Sequence, residues 1–466
     1  MRHSLALSLL LAAGLVLAAG AQSVPANDWP MFGGNVYSSS DNSSSGGIST
    51  ANVAKLTRHE VALPGTVDAS VIYLHGVTVN GARHNVAFMT ALYGKTIAVD
   101  AGSGQILWVY TPASYSQLAG GRQVTNSTPV ADPSHQYIYA ASPDGYLQKL
   151  SIANGHAVWR TSITRLPLRE KMDSGLKLFR GHIIYVTAGY NGDRPPYQGH
   201  VVILDAQSGR LLQVWNSLCS NRQGLLDPAS CPASDSAIWG RPGAQIDPAN
   251  GHFFVATGNA PWNGKTNWGD SVIELNAADK MAGNWAPENT EELNQDDLDV
   301  GSSAPVWLGG GLIAQGGKAG KIHLLRISAL AGTAPHKGNA VQEIPTPGGA
   351  KLFSQPAVWK HNDQTWMFVA ARGGTEAWAL VNGKFEKKWS NTTDGTSPFI
   401  AGNLLYVFDP GGSLNVYEAA SGRRITALSS GRGHWESPVV VDGKIFLTSG
   451  NANRRQTSGT LYIWSK

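Results

Sequence analysis

The sequence predicts an all-β chain: an eight-bladed β-propeller of four-stranded blades, closed into a ring by an N-terminal strand. Three observations predict it. A hairpin ending on tryptophan recurs along the chain, a Ser-Pro pattern precedes most copies, and an unmatched strand stands at each end.

The hairpin is clearest in AVDAGSGQILW, Ala98 to Trp108. KLSIANGHAVW follows to Trp159, then ILDAQSGRLLQVW to Trp215, ELNAADKMAGNW to Trp285, LVNGKFEKKW to Trp389, and VYEAASGRRIT, whose tryptophan is lost. Each reads as an apolar strand, a tight Asp/Asn/Ser-Gly type turn, and a second strand closing on an aromatic. One hairpin cannot bury its own faces, so the copies must pack on one another.

Ahead of most hairpins a small polar residue precedes a proline and an apolar run: Ser127-Thr128-Pro129-Val130, Ser303-Ala304-Pro305-Val306, Ser354-Gln355-Pro356-Ala357, Ser397-Pro398-Phe399 and Ser437-Pro438-Val439. A further strand follows each, such as Tyr137 to Ala141, Phe253 to Thr257 or Leu404 to Phe408. Units therefore hold four strands and begin near Asp68, Ser127, Asp173, Gly240, Ser302, Ser354, Thr396 and Glu436. That period of roughly 40 to 65 residues is the propeller range once loop insertions are allowed. The final unit, SGTLYIWSK, stops at its third strand, while Leu56 to Leu63 precedes the first unit alone. Pairing the two closes the ring and removes an open edge.

Composition agrees. The 466 residues include 54 Gly, 24 Pro and 15 Trp with only 15% charged, which suits short strands and turns rather than long helices. A propeller shares its core around the ring, so 22–466 is expected to be one domain. The formal charge of +4 is too small and too scattered for a nucleic-acid partner.

Residues 1–21 read as a signal peptide: Arg2 and His3, the apolar run Leu5 to Leu17, then Ala19-Gly20-Ala21 as a cleavage site. The run is too short for a membrane span, and no cysteine lies near the cleavage point to carry a lipid. The expected location is periplasmic or secreted. In an oxidising compartment Cys219 and Cys231, alone in one loop, are expected to form a disulfide. No C-x-x-C-H for covalent haem is present.

The hairpin with its closing Trp resembles the tryptophan-docking repeat of the pyrroloquinoline-quinone (PQQ) propeller family, which holds the quinoprotein alcohol dehydrogenases and non-enzymatic relatives. One region is more specific: IWGRPGAQIDPANGHFFVATGNAPWN from Ile238, then LNQDDLDVGSSAP, then AQGGKAGKIHLL. It is similar to the family's fourth and fifth blades. The resemblance implies that Trp239 stacks on the cofactor, that Asn259 in the T-G-N-A-P-W-N turn binds calcium, and that Asp297 is the base and a metal ligand, with Asp299 as the alternative base. It also implies that Lys318 bonds the quinone oxygens. Asp68 lies where the family has a cofactor-facing Glu, and Arg241, like Asp173 and Glu436, begins an inner strand and is placed at the channel. Trp239, Asn259, Asp297 and Lys318 should then converge on one mouth of the central channel.

The chemistry asks for these types. A planar quinone needs an aromatic floor, its carbonyls need a cation, and a carboxylate must take the hydroxyl proton. The reading is a PQQ- and calcium-dependent dehydrogenase of an alcohol or sugar-like hydroxyl, passing electrons to a separate acceptor. A rival reading is a cofactor-free propeller that binds a protein or polysaccharide. It follows from two departures: the family's adjacent cysteine pair is missing, and blade three offers Asp193 where the dehydrogenases place a Glu.

Overall fold

The structure, a computed structural model, describes residue 25 and residues 27–466 apart from 191 and 193. The expected signal peptide and Asp193 lie outside the described residues. Eight antiparallel blades of four strands, one of them extended by a fifth strand, follow one another along the chain. Their innermost strands are Ile72–Val79, Val130–Ala131, Lys177–Phe179, Gln245–Ile246, Val306–Gly309, Ala357–His361, Phe399–Ala401 and Val439–Val441. Each begins a few residues beyond the unit starts expected from sequence. The second and third strands are apolar on both faces, as in Phe253–Ala256 and Val272–Leu275, because each blade is sandwiched between two others. The cores accordingly lie between blades: Phe88 and Ala98 of blade 1 pack on Ile138 and Leu150 of blade 2.

The last blade takes its outer strand from the N-terminus. Thr57–Leu63 pairs antiparallel with Gly459–Ser465, from Thr57 opposite Ser465 to Leu63 opposite Gly459. This is the closure the unmatched strands predict.

The hairpin tryptophans staple neighbouring blades. Trp108 Nε1 donates to Ile152 O at 2.9 Å, Trp159 to Ala206 O at 3.3 Å, and Trp389 to Ala419 O at 2.9 Å. Each indole also lies flat over the glycine of the next hairpin turn. A Cβ on Gly155, which has φ +73°, would stand 2.7 Å from the Trp108 ring. The turn glycine therefore serves its own hairpin and the preceding blade's tryptophan at once.

One segment has no counterpart in the repeat. Residues 29–42 run across the axis of the ring, bonding to inner strands on opposite sides. Trp29 bridges Tyr73, Pro30 O accepts from Ala131 N, Val36 O from Ile246 N, and Ser39 O from Val358 N. Asp41–Asn42 then adds a parallel strand inside Phe399–Ala401, and Asn42 Nδ2 donates to Val440 O at 2.9 Å. Trp29, Met31 and Phe32 are buried, so the segment closes the channel with apolar side chains. Lys177, fully buried on blade 3, anchors it: Nζ donates to Ser38 Oγ and to the carbonyls of Phe32 and Asn35.

Burial pushes the Lys177 ammonium down to about 7 from its usual 10.5. Below that value the lysine is charged in both states and its burial cost is present in full. Above it, the unfolded chain holds a proton the native state has released, so stability rises with pH up to the unfolded value. Lys177→Met should remove this slope. Urea unfolding of both proteins across about pH 7 to pH 10 checks it; parallel curves would show that Lys177 does not titrate there.

Cys219 and Cys231 form the expected disulfide, closing a loop of blades 3 and 4. No helix among the described residues is long and apolar enough to cross a membrane.

Candidate functional site

The connections that precede each inner strand, and those between second and third strands, gather on one face around the channel mouth. There Trp239 and Arg241 (before blade 4), Asp297 (before blade 5) and Lys318 (within blade 5) line a cavity of about 430 Å³. Phe353 and Trp435 line it too, their rings 5.2 Å apart.

Trp239 Nε1 donates to Gly189 O at 3.0 Å, which fixes the plane of the indole. Lys318 Nζ stands 5.7 Å from the ring centroid, within cation–π range. The ammonium also bonds Asp297 Oδ1 at 2.6 Å and Asp299 Oδ2. Asn259 Nδ2 donates to Asp297 Oδ1 at 3.1 Å, and Asn259 N to Asp299 Oδ1 at 2.7 Å. The site is built this tightly because residue 258 is glycine. A Cβ there would lie 2.2 Å from Asp299 Oδ1 and 3.0 Å from the Trp239 ring.

The two aspartates differ in exposure, which the sequence left open. The Asp297 side chain is 60% exposed and held on a left-handed backbone with φ +53°, whereas that of Asp299 is 1% exposed. Burial pushes the Asp299 carboxyl above its usual range, with Lys318 and the Asn259 amide opposing and Asp297 adding to the rise. Burial drives the Asp270 carboxyl well above its usual range, with the charges of Asp299 and Asp297 adding to the rise and Lys318 and the Val300 amide, which donates to Oδ1 at 3.0 Å, opposing it. Burial pulls the Lys318 ammonium down, but Asp299 and Asp297 outweigh it and raise its affinity for the proton. A fixed cation, an aromatic face and one accessible carboxylate thus share one cavity.

Arg241 lines the same cavity, donating to the carbonyls of Asp68 and Asn126 at 3.2 and 3.3 Å, with Asp173 4.0 Å away. Asp68 does not reach the cavity with its carboxylate. The side chain is wholly buried, taking His434 Nδ1 at 2.7 Å and the amides of Trp435 and Ala452 at 2.8 Å. Burial alone would raise it, but His434 and Arg241 hold it below the usual range. Glu436, also buried, is pushed well up by burial and by the Asp68 charge. Both stand behind His434 and Trp435 because the loop ahead of blade 8 folds over them.

For calcium, the oxygens at hand are those of Asp297 and Asp299 together with Asn259 Oδ1, which is buried without a partner. Among the described residues no three His, Cys, Asp or Glu side chains form a metal-holding group. The ion would need further oxygens from a ligand or water, and it would share both carboxylates with Lys318.

Comparisons with known proteins agree with the architecture. The family profile described as outer membrane protein assembly factor BamB matches residues 34–237. No curated protein matches the sequence. Among solved structures, quinohemoprotein alcohol dehydrogenase from Comamonas testosteroni is similar at TM-score 0.70 and 16% identity, covering 94% of this chain and 81% of that one. A quinohemoprotein alcohol dehydrogenase of Pseudomonas putida HK5 gives 0.69 and 13%, with 94% and 80% covered. A europium-containing methanol dehydrogenase gives 0.70 and 13%, with 95% and 98% covered. At these identities the likeness is one of fold. By its docking repeats and its closed ring, the chain is a PQQ-like eight-bladed β-propeller, similar in fold to the quinoprotein alcohol dehydrogenases.

Proposed function

We propose that this propeller is an exported quinoprotein-type dehydrogenase that binds PQQ at the channel mouth and oxidises an alcohol or sugar-like hydroxyl. The observation that carries the reading is the meeting of Lys318, the Trp239 face and the exposed Asp297 in one cavity. PQQ, when bound, supplies the two-electron acceptor for the hydride that leaves the substrate carbon.

The chain's own residues do the rest. Trp239, locked by Gly189 O, is a flat apolar floor for a planar ring system. Lys318 keeps a positive charge beside that floor, where electron density would build up on the quinone oxygens. Arg241 and Lys171 line the cavity as counterions for carboxylates. Asp297 is open to solvent and takes the hydroxyl proton, while the buried Asp299 holds Asn259 and Lys318 in place. Asn259 Oδ1 and the Asp297 carboxylate are the oxygens that would hold calcium, whose charge would add to that of Lys318. Asp68 acts at one remove, by orienting His434 and Trp435.

One observation favours the rival, cofactor-free scaffold: Lys318 already pairs with both carboxylates, so a side-chain cation stands where a metal would bind them. Thermal unfolding separates the two. With PQQ and calcium at about 100 times the dissociation constant, the native state should gain about 2.7 kcal/mol. An unchanged melting temperature at high micromolar PQQ would support the scaffold.

A further inference from the structure

Beside the Trp239 cavity lies a second one, of about 550 Å³, whose charged lining residues are all cationic. Arg122, Arg169, Lys171, Arg194 and Arg455 line it, and no carboxylate does among the described residues. It is contiguous with the candidate site, sharing Lys171 and Tyr190 as a common wall.

The cluster is assembled from four connections far apart in sequence, and their backbones are tied together. Tyr93 Oη bonds the carbonyls of Gly121 and Arg455 at 3.1 and 3.2 Å, so the loops carrying Arg122 and Arg455 are held side by side. Tyr190 Oη and Gln123 Nε2 both donate to Pro167 O at 3.2 Å, fixing the segment that leads to Arg169. Arg455 holds a left-handed conformation, φ +54°, after a turn capped by the Asn451 side chain. Among the described residues the four guanidiniums make no hydrogen bond or ion pair, while Lys171 alone has a counterion, Asp173 at 2.9 Å.

Four guanidiniums without counterions around one concavity repel each other unless an anion joins them, and a chain of net charge +4 has no general excess that would place them there by chance. Guanidinium forks match the paired oxygens of carboxylate, phosphate or sulfate. The volume is that of a small-molecule site.

We infer that this cavity is an anion subsite, and that the substrate oxidised beside Trp239 is a hydroxyl compound bearing a carboxylate, phosphate or sulfate, such as a hydroxy acid, an acidic sugar or a sugar phosphate. The substrate assignment rests on the dehydrogenase reading. The anion subsite does not.

The test uses the full-length exported protein without PQQ. Citrate, inorganic phosphate, glucuronate and glucose are titrated by calorimetry at constant ionic strength against wild type and an Arg122→Gln/Arg455→Gln variant. Both substituted side chains are exposed, so the variant should melt with the wild type. The anions, but not glucose, should bind wild type and lose at least about tenfold in the variant. Equal binding to both proteins, or none to wild type, overturns the subsite, whatever the PQQ result. Glucuronate against phosphate tells which anionic group is preferred. In the PQQ-loaded protein, the variant should raise KM for acidic hydroxyl substrates with kcat kept. If PQQ instead displaces citrate and loses affinity in the same variant, the cavity holds the cofactor's own carboxylates and the substrate assignment fails. Binding of a long polyanion without that of the small anions would likewise overturn it.

Discussion

Lys318→Met is expected to destabilise the protein by about 3–5 kcal/mol at neutral pH, the range found when one partner of a buried ion pair is removed. The reason is Asp299, whose side chain is 1% exposed and keeps only the Asn259 amide once the ammonium is gone. Burial already raises its carboxyl, and losing Lys318 raises it further. A carboxyl raised in the folded state favours folding at low pH and loses that advantage as pH rises through its folded value. The deficit of the variant should therefore shrink as the pH falls and Asp299 takes up a proton. Urea unfolding at neutral and mildly acidic pH reads this directly. A deficit that does not change with pH would mean that the lost energy is packing and not charge. The same variant should weaken PQQ binding at least tenfold, or about 1.4 kcal/mol, because it removes the fixed cation over the Trp239 face.

Deleting residues 22–42 should cost more still. It removes Trp29 and Phe32, each buried and each worth about 3–5 kcal/mol by the usual cost of truncating a large aromatic. It also strips backbone partners from the inner strands of blades 1, 2, 4, 6 and 7 and takes from Lys177 both its cover and its partners, Ser38 and the carbonyls of Phe32 and Asn35. The closing strand Thr57–Leu63 stays, so the experiment separates plugging the channel from closing the ring. Loss of the cooperative thermal transition, or a melting temperature lower by at least about 10 °C, is expected. A truncated protein melting with the full chain would show that the ring stands without its plug. Trp29→Ala, which removes a ring 4.6 Å from Phe399, is the milder companion variant.

The contrast between closing strand and plug shows what could be read from sequence. Thr57–Leu63 was legible because a last unit short of one strand demands a partner. The docking tryptophans were legible because a turn and, shortly after it, an indole recur along the chain, a local signal repeated by a repeated fold. Residues 29–42 repeat nothing: they meet each blade once, mostly through carbonyls that any residue carries. Burial of Lys177 under a segment distant in the chain leaves no local mark in the sequence.

The site divides in the same way. Trp239, Asn259, Asp297 and Lys318 lie in or next to motifs, and the structure brings them together. The choice between Asp297 and Asp299 was open because two carboxylates two residues apart differ only in what covers them. Asp68 carries the right charge at the right point in the chain, but His434, nearly the whole sequence away, folds over it. Phe353 and Trp435 were not singled out, although each stands just ahead of a Ser-Pro unit start and so at the channel mouth. The Arg122, Arg169, Arg194 and Arg455 cavity left no spacing to read, being drawn from loops of several blades.

Equilibrium dialysis of PQQ with calcium, read by quinone absorbance, measures binding in the Trp239 cavity itself. Wild type should take up one PQQ per chain, and Trp239→Ala should bind at least about tenfold more weakly, as expected for losing an aromatic stacking face. Absence of saturable uptake by the wild type, or equal uptake by Trp239→Ala, would contradict PQQ binding there.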